Sequence, residues 1–139
     1  VGLAALGVWP SAAGWCGLVA FFLWGTASQA FGAVQDVGPD REAGIASIAT
    51  VLGARATVWV SFVGYAAAGI SALGAGPVLR WAALGAVPYL VSVARFLTVT
   101  DETAAHAHRG WTTFLWLNYL VGFGVTMLLF VHSRLIPLP

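Results

Sequence analysis

The sequence predicts an all-α membrane fold, and three features of it point that way. Of 139 residues, 60% are hydrophobic and only 8% charged, with a mean hydropathy of +0.88; a soluble domain carries roughly 25% charged residues. The apolar residues fall in runs long enough to cross a bilayer, which takes about twenty residues. All five acids fall in two short polar stretches between such runs. A chain of this kind cannot cover its own surface in water. The expected architecture is four complete transmembrane helices plus a partial one, forming a single transmembrane domain over residues 1–139.

Residues 1–9 read as the end of a helix, with Pro10-Ser11 as the following turn. An uncharged span covers residues 12–34. The first polar loop, 35–55, contains Ile45, Ile48 and Leu52 at helical spacing, which predicts a short amphipathic helix lying at the interface. A second span covers 56–73, and Gly74-Ala75-Gly76-Pro77 predicts a tight hairpin. The third span covers 78–99, with a kink expected at Pro88 that neighbouring helices can tolerate. A second polar loop, 100–110, holds Asp101, Glu102, His106, His108 and Arg109, and a fourth span covers 111–131 before the chain ends at 136–139. The first residue is Val, inside an apolar stretch with no basic flank. The chain therefore reads as the C-terminal part of a longer protein and not as one opened by a signal peptide.

Alternation of spans places both polar loops on one side of the membrane. Arg41, Arg55, Arg95 and Arg109 share that side, against Arg80 and Arg134 opposite, so the positive-inside rule makes the acid-bearing side cytoplasmic. The expected location is a bacterial plasma membrane, crossed several times. A net charge of +1 without a basic cluster argues against nucleic acid as a partner. All six basic residues are Arg, so no lysine is present for Schiff-base chemistry, and the lone Cys16 implies neither disulfide nor metal site.

The most informative stretch is Gln35-Asp36-Val37-Gly38-Pro39-Asp40-Arg41-Glu42, which follows thirty-four residues without a charge. Acids at the mouth of a membrane helix are costly to desolvate and point to function. Two carboxylates four apart suit Mg²⁺, a hard cation that takes oxygen ligands and shares them with substrate phosphates. Gly38-Pro39 is expected to end the helix, leaving Asp40 in a turn where it converges with Asp36. The plainer alternative is a pair of solvated loop acids. Ser28, Gly32 and Asp36 recur at four-residue spacing with Gln35 beside them. Such small residues either let a helix pack closely or line a substrate cavity. Arg109 beside Trp111 suits either a diphosphate or an interfacial anchor, and Asn118 either bonds a neighbouring helix or lines the cavity. His106 and His108 lack the spacing of a closed metal site, and no metal is assigned to them. Some of the seven Trp, eight Phe and three Tyr can stabilise a carbocation through their π faces in a dry pocket.

The run from Ala27 to Gly44, followed by Ser47-Ile48-Ala49-Thr50-Val51-Leu52-Gly53, resembles the second aspartate-rich motif of the UbiA-type intramembrane prenyltransferases. The matching features are the DxxxD pair Asp36 and Asp40, Arg41 and Gly44 after it, and Val51-Leu52-Gly53 at its end. The motif covers about thirty residues, and the four spans suit the C-terminal half of that family's nine-helix bundle. The wording around Ser28 to Gly32, Arg109-Gly110-Trp111 and Leu117-Asn118-Tyr119 is most similar to its carotenoid-modifying bacterial members, the lycopene elongases. The resemblance implies an allylic prenyl diphosphate bound as a Mg²⁺ complex by Asp36 and Asp40, with Arg41 and Arg109 on the diphosphate. It also implies Ser28, Gly32, Gln35 and Asn118 along the cavity, and an apolar acceptor such as a carotenoid. The family's first acidic motif, of the NDxxDxxxD kind, is absent from these 139 residues, so the piece alone is expected to be inactive. Acceptors such as a quinone precursor, haem, chlorophyllide or a glycerol lipid stay open. From a different class, a cation-binding transporter fragment would place its acids near mid-membrane, not at a loop.

Overall fold

The computed structural model describes Gly7 and residues 9–133. The partial helix expected over residues 1–9, Arg134 and the chain end at 136–139 otherwise lie outside the described residues. The described residues are helical, with no strand among them, and the protein is an all-α membrane protein. Its elements are α1 (Ala12–Val34), α2 (Val37–Glu42), α3 (Ile48–Leu52), α4 (Ala54–Leu73), a 3-10 helix Leu79–Gly85, α5 (Ala86–Ala94), a second 3-10 helix Asp101–Ala107, and α6 (His108–His132). Three helical stretches, Ala12–Val34, Ala54–Leu73 and Asp101–His132, are long and apolar enough to cross a membrane.

Local chemistry sets the starts of these helices. Ser11 caps α1 by accepting a hydrogen bond from the Gly14 amide at 3.2 Å. Ser47 and Thr50 form a reciprocal capping box on α3. That helix is the short amphipathic one expected, with Ala49 buried and Ile48, Val51 and Leu52 exposed.

Two prolines act differently from expectation. Pro39 does not end a helix at Gly38-Pro39; α1 has already stopped at Val34, and Pro39 occupies the third position of α2. There the first N–H groups have no helical partner, so the missing donor costs nothing. Pro88 likewise sits at the third position of α5. The span expected as one kinked helix over 78–99 is instead a 3-10 helix followed by α5, and its apolar stretch Leu79–Ala94 is shorter than the other spans. Pro88 cannot donate to the carbonyl four residues back, so the regular ladder is interrupted and the preceding turns tighten. The loop expected over 100–110 is also helical. A Thr100–Thr103 capping box starts its 3-10 helix, and α6 begins at His108.

The core lies between α1 and α4, the most extensive contact in the fold, and is closed by α5 and the first turns of α6. Tyr65, Tyr89, Phe31, Val34, Val37, Val58 and Val93 are its largest fully buried apolar and aromatic side chains, with Phe114 packed beside them. Both polar loops meet at one end, where Arg41 pairs with Asp101. At the other end, Ser71 donates to the Cys16 carbonyl at 2.9 Å, beside the turn at Gly74–Pro77. With Cys16 replaced by Ala, single cysteines at the exposed positions Thr103 and Pro77 should react with an impermeant thiol reagent from opposite sides. Reaction from the same side would overturn this topology.

Candidate functional site

The site is built at the C-terminal end of α1. The backbone continues through Gln35 and Asp36 into α2, and the Asp40 amide donates to the Asp36 carbonyl at 2.8 Å. The two carboxylates are therefore one helical turn apart on one side, and Asp40 belongs to a helix and not to the turn expected after Pro39. Asp36 is exposed and Asp40 half-buried. Among the described residues the one ion pair is Arg41–Asp101, so neither acid of the pair is neutralised within them.

Arg41, next in sequence, turns away toward the second loop. Its guanidinium donates to Asp101 Oδ2 at 2.5 Å and to the Thr50 carbonyl at 3.4 Å. The other oxygen of Asp101 accepts from the Ala54 amide at 2.7 Å, capping α4, which has no side-chain cap of its own. One carboxylate thus joins α2, α4 and the second polar loop. The Ala54 N–H, and after it Arg41, hold the Asp101 carboxyl below its ordinary value. A carboxyl lowered by folding contributes stability that is present above its unfolded value and is lost as pH falls through the folded one. Thermal stability should therefore decline below about pH 4. Asp101→Asn keeps an acceptor for Ala54 but gives up the ion pair, a surface interaction of small net worth. Asp101→Ala loses both and should cost about 1 kcal/mol more, the typical worth of a cap. Equal losses in denaturant titration would show that the cap contributes nothing.

On the other flank, Gln35 Oε1 lies 2.8 Å from His108 Nδ1, so the amide carbonyl accepts when that ring nitrogen carries its proton. His108 and Arg109 are both exposed. Two close approaches bring them here. A Cβ on Gly110 would come within 2.5 Å of the Phe96 ring and 2.8 Å of Phe31, and one on Gly32 within 2.9 Å of the Trp111 ring. The start of α6 lies against α1 because neither glycine has a side chain.

Ser28, Gly32 and Asn118, read from the sequence as cavity candidates, each meet side chains of this chain. Ser28 Oγ donates to the Trp24 carbonyl at 2.7 Å and shares a 3.0 Å hydrogen bond with the Tyr65 hydroxyl. Tyr65 stacks on Tyr89 with ring centroids 5.0 Å apart, and the Tyr89 hydroxyl donates to Asn118 Oδ1 at 2.8 Å. This ladder links polar side chains of four helices, α1, α4, α5 and α6, to one another, as intramembrane side chains require.

The open side of α1 carries different residues. Phe21, Phe22, Gly25, Thr26, Gln29 and Ala30, with Ile48 from α3, line an open apolar groove of about 560 Å³. Gln29 is seven residues before Asp36 and five before the end of α1 at Val34. Sequence reading followed the four-residue spacing Ser28–Gly32–Asp36, but four residues overshoot a turn by about 40°, so two such steps drift by about 80°. A seven-residue step drifts by only about 20°. That spacing is the signal that pairs Gln29 with Asp36, and it leads to the groove. Among the described residues no group of three or more His, Cys, Asp or Glu is placed to hold a metal ion.

No family model matches the chain, and no solved structure matches it. Curated proteins do. The chain is 53% identical over 118 residues to the "C(50) beta-cyclic carotenoids biosynthesis protein LbtBC" of Dietzia sp., a match covering 82% of this chain and 27% of that protein. It is 46% identical over 130 residues to the "Lycopene elongase/hydratase" of Corynebacterium glutamicum, covering 93% of this chain and 45% of that protein. A shorter match, 50% over 38 residues, is to the lycopene elongase/hydratase of Haloferax volcanii. The chain thus spans between about a quarter and just under half of the two longer-matched relatives.

Proposed function

We propose that this chain, lycopene elongase-like over nearly its whole length, is part of a membrane enzyme that transfers a prenyl group from an allylic diphosphate to a carotenoid. The observation that carries this reading is the unneutralised Asp36–Asp40 pair just past the C-terminal end of α1, the helix whose open face carries an apolar groove. Two hard oxygen donors one turn apart suit Mg²⁺ that shares its remaining ligands with a diphosphate. Once bound there, the ion would help neutralise the departing diphosphate.

The chain's own residues divide the remaining work. Asp36 and Asp40 hold the diphosphate end at the membrane surface. Arg109, exposed beside His108, offers a forked donor to the leaving oxygens, whereas Arg41 reaches them only by exchanging its Asp101 partner. Below them, the groove under Gln29 and Thr26 takes the apolar chain and keeps water from it. The allylic C–O bond breaks with its electron pair going to the diphosphate, and a terminal double bond of the carotenoid forms the new C–C bond. The resulting cation loses a proton to the released diphosphate, or takes up water and then gives up a proton, leaving a neutral product. The acid-bearing end would face the cytoplasm of a bacterial cell. The resemblance of the run from Ala27 to Gly44, followed by Ser47 to Gly53, to the second aspartate-rich motif of UbiA-type prenyltransferases supports this chemistry. Acids at a helix end, not at mid-membrane, speak against a transport path.

The test is to express the native protein in cells that make lycopene and dimethylallyl diphosphate, and to read carotenoid masses. Carotenoid extended by C5 units is expected. Prenylation of a quinone precursor with lycopene untouched would overturn the carotenoid assignment, and no prenylated product of any kind would overturn the transferase reading.

A further inference from the structure

A second groove lies on the far side of the Arg41–Asp101 tie. It has a volume of about 650 Å³ and is lined by Arg55, Ala56 and Trp59 of α4, Leu52, and Asp101 and Glu102 of the second loop. Its charges are unequal in freedom. Both oxygens of Asp101 are committed, one to Arg41 and one to the Ala54 amide. Arg55 and Glu102 form no ion pair among the described residues. Trp59 is one turn below Arg55 on the same helix and is half-exposed, and the outer face of α4 continues through exposed Val60 and Val63.

A free phosphate would meet Arg55 but also two carboxylates, and a lone ammonium would meet Arg55. A group carrying a phosphodiester and a primary ammonium satisfies Arg55 and Glu102 together, the first through a guanidinium–phosphate fork. A tryptophan below an arginine is the arrangement that membrane interfaces favour, and the apolar strip under it fits an acyl chain. We propose that this groove binds one molecule of an amine-bearing zwitterionic phospholipid of the phosphoethanolamine class, with its phosphate on Arg55, its ammonium on Glu102 and a chain along Trp59 and Val63.

Native mass spectrometry of the purified native protein with chain-matched phosphatidylethanolamine, phosphatidylcholine and phosphatidylglycerol would test this. One phosphatidylethanolamine should be retained about tenfold more strongly than phosphatidylcholine, whose trimethylated amine cannot donate to Glu102. Arg55→Gln should remove retention of all three lipids at this stoichiometry. Glu102→Gln should leave a phosphate-bearing lipid bound but abolish the preference for the primary amine. Both positions are exposed, and unchanged helical circular dichroism would verify that the variants fold. Equal retention of phosphatidylethanolamine and phosphatidylcholine by the wild type, or stronger retention of phosphatidylglycerol, would overturn the proposal. So would wild-type behaviour in Arg55→Gln.

Discussion

Asp36→Asn and Asp40→Asn, each made alone in the native protein, are expected to abolish carotenoid extension, lowering turnover by about 100-fold or more, the scale of losing one preorganised electrostatic contact at a reacting centre. Each substitution removes one negative charge from the pair that would face the cation, so the diphosphate is poorly neutralised as it leaves. Neither should unfold the protein, because Asp36 is exposed and neither acid belongs to the Arg41–Asp101 ion pair. Helical circular dichroism and the elution volume in detergent should stay at wild-type values. Chelation of divalent cations should mimic the substitutions, and added Mg²⁺ should reverse it in the wild type only. Ordinary turnover in either variant at ordinary Mg²⁺ would show that the pair is a solvated loop feature.

Gly64→Val is expected to give the largest loss of stability. Gly64 lies at the α1–α4 contact, where a Cβ would come within 2.9 Å of the Ala27 Cβ and 3.6 Å of its Cα. Ala27 is buried and has no rotamer by which to retreat, so the two helices must separate. Overpacking of this kind costs about 1 to 3 kcal/mol, occasionally more, and here it also pulls the Ser28–Tyr65 hydrogen bond apart. A loss of about 3 kcal/mol is expected, read as a drop in detergent melting temperature of several degrees. Gly122→Val is the control: nothing lies within 4 Å of its would-be Cβ, and because valine is a slightly better helix former than glycine, stability there should stay within about 0.5 kcal/mol of wild type or rise. Equal losses at the two positions would show that close α1–α4 packing is not what holds the unit together.

What the sequence determined by itself is what depends on solvent and on chain length. Apolar runs of twenty or so residues leave a chain one way to satisfy its backbone in lipid, so the α1 span was legible to its ends at Ala12 and Val34. Even-odd alternation then placed the loops holding Asp36 and Asp101 at one end. The Asp36–Asp40 spacing was visible because four residues make a turn whether or not a tertiary fold surrounds them. Tertiary structure alone decided the rest. Arg41 meets an acid sixty residues away, Gln35 a histidine seventy-three away, and Ser28 a tyrosine thirty-seven away. No local propensity encodes such pairs, because each depends on how closely two helices approach, and that is set by Gly32 beneath Trp111 and Gly110 beneath Phe96. The same holds for the open face of α1. Ser28 and Gln29 are both polar neighbours in an apolar span, and only the position of α4 buries one and leaves the other in the groove.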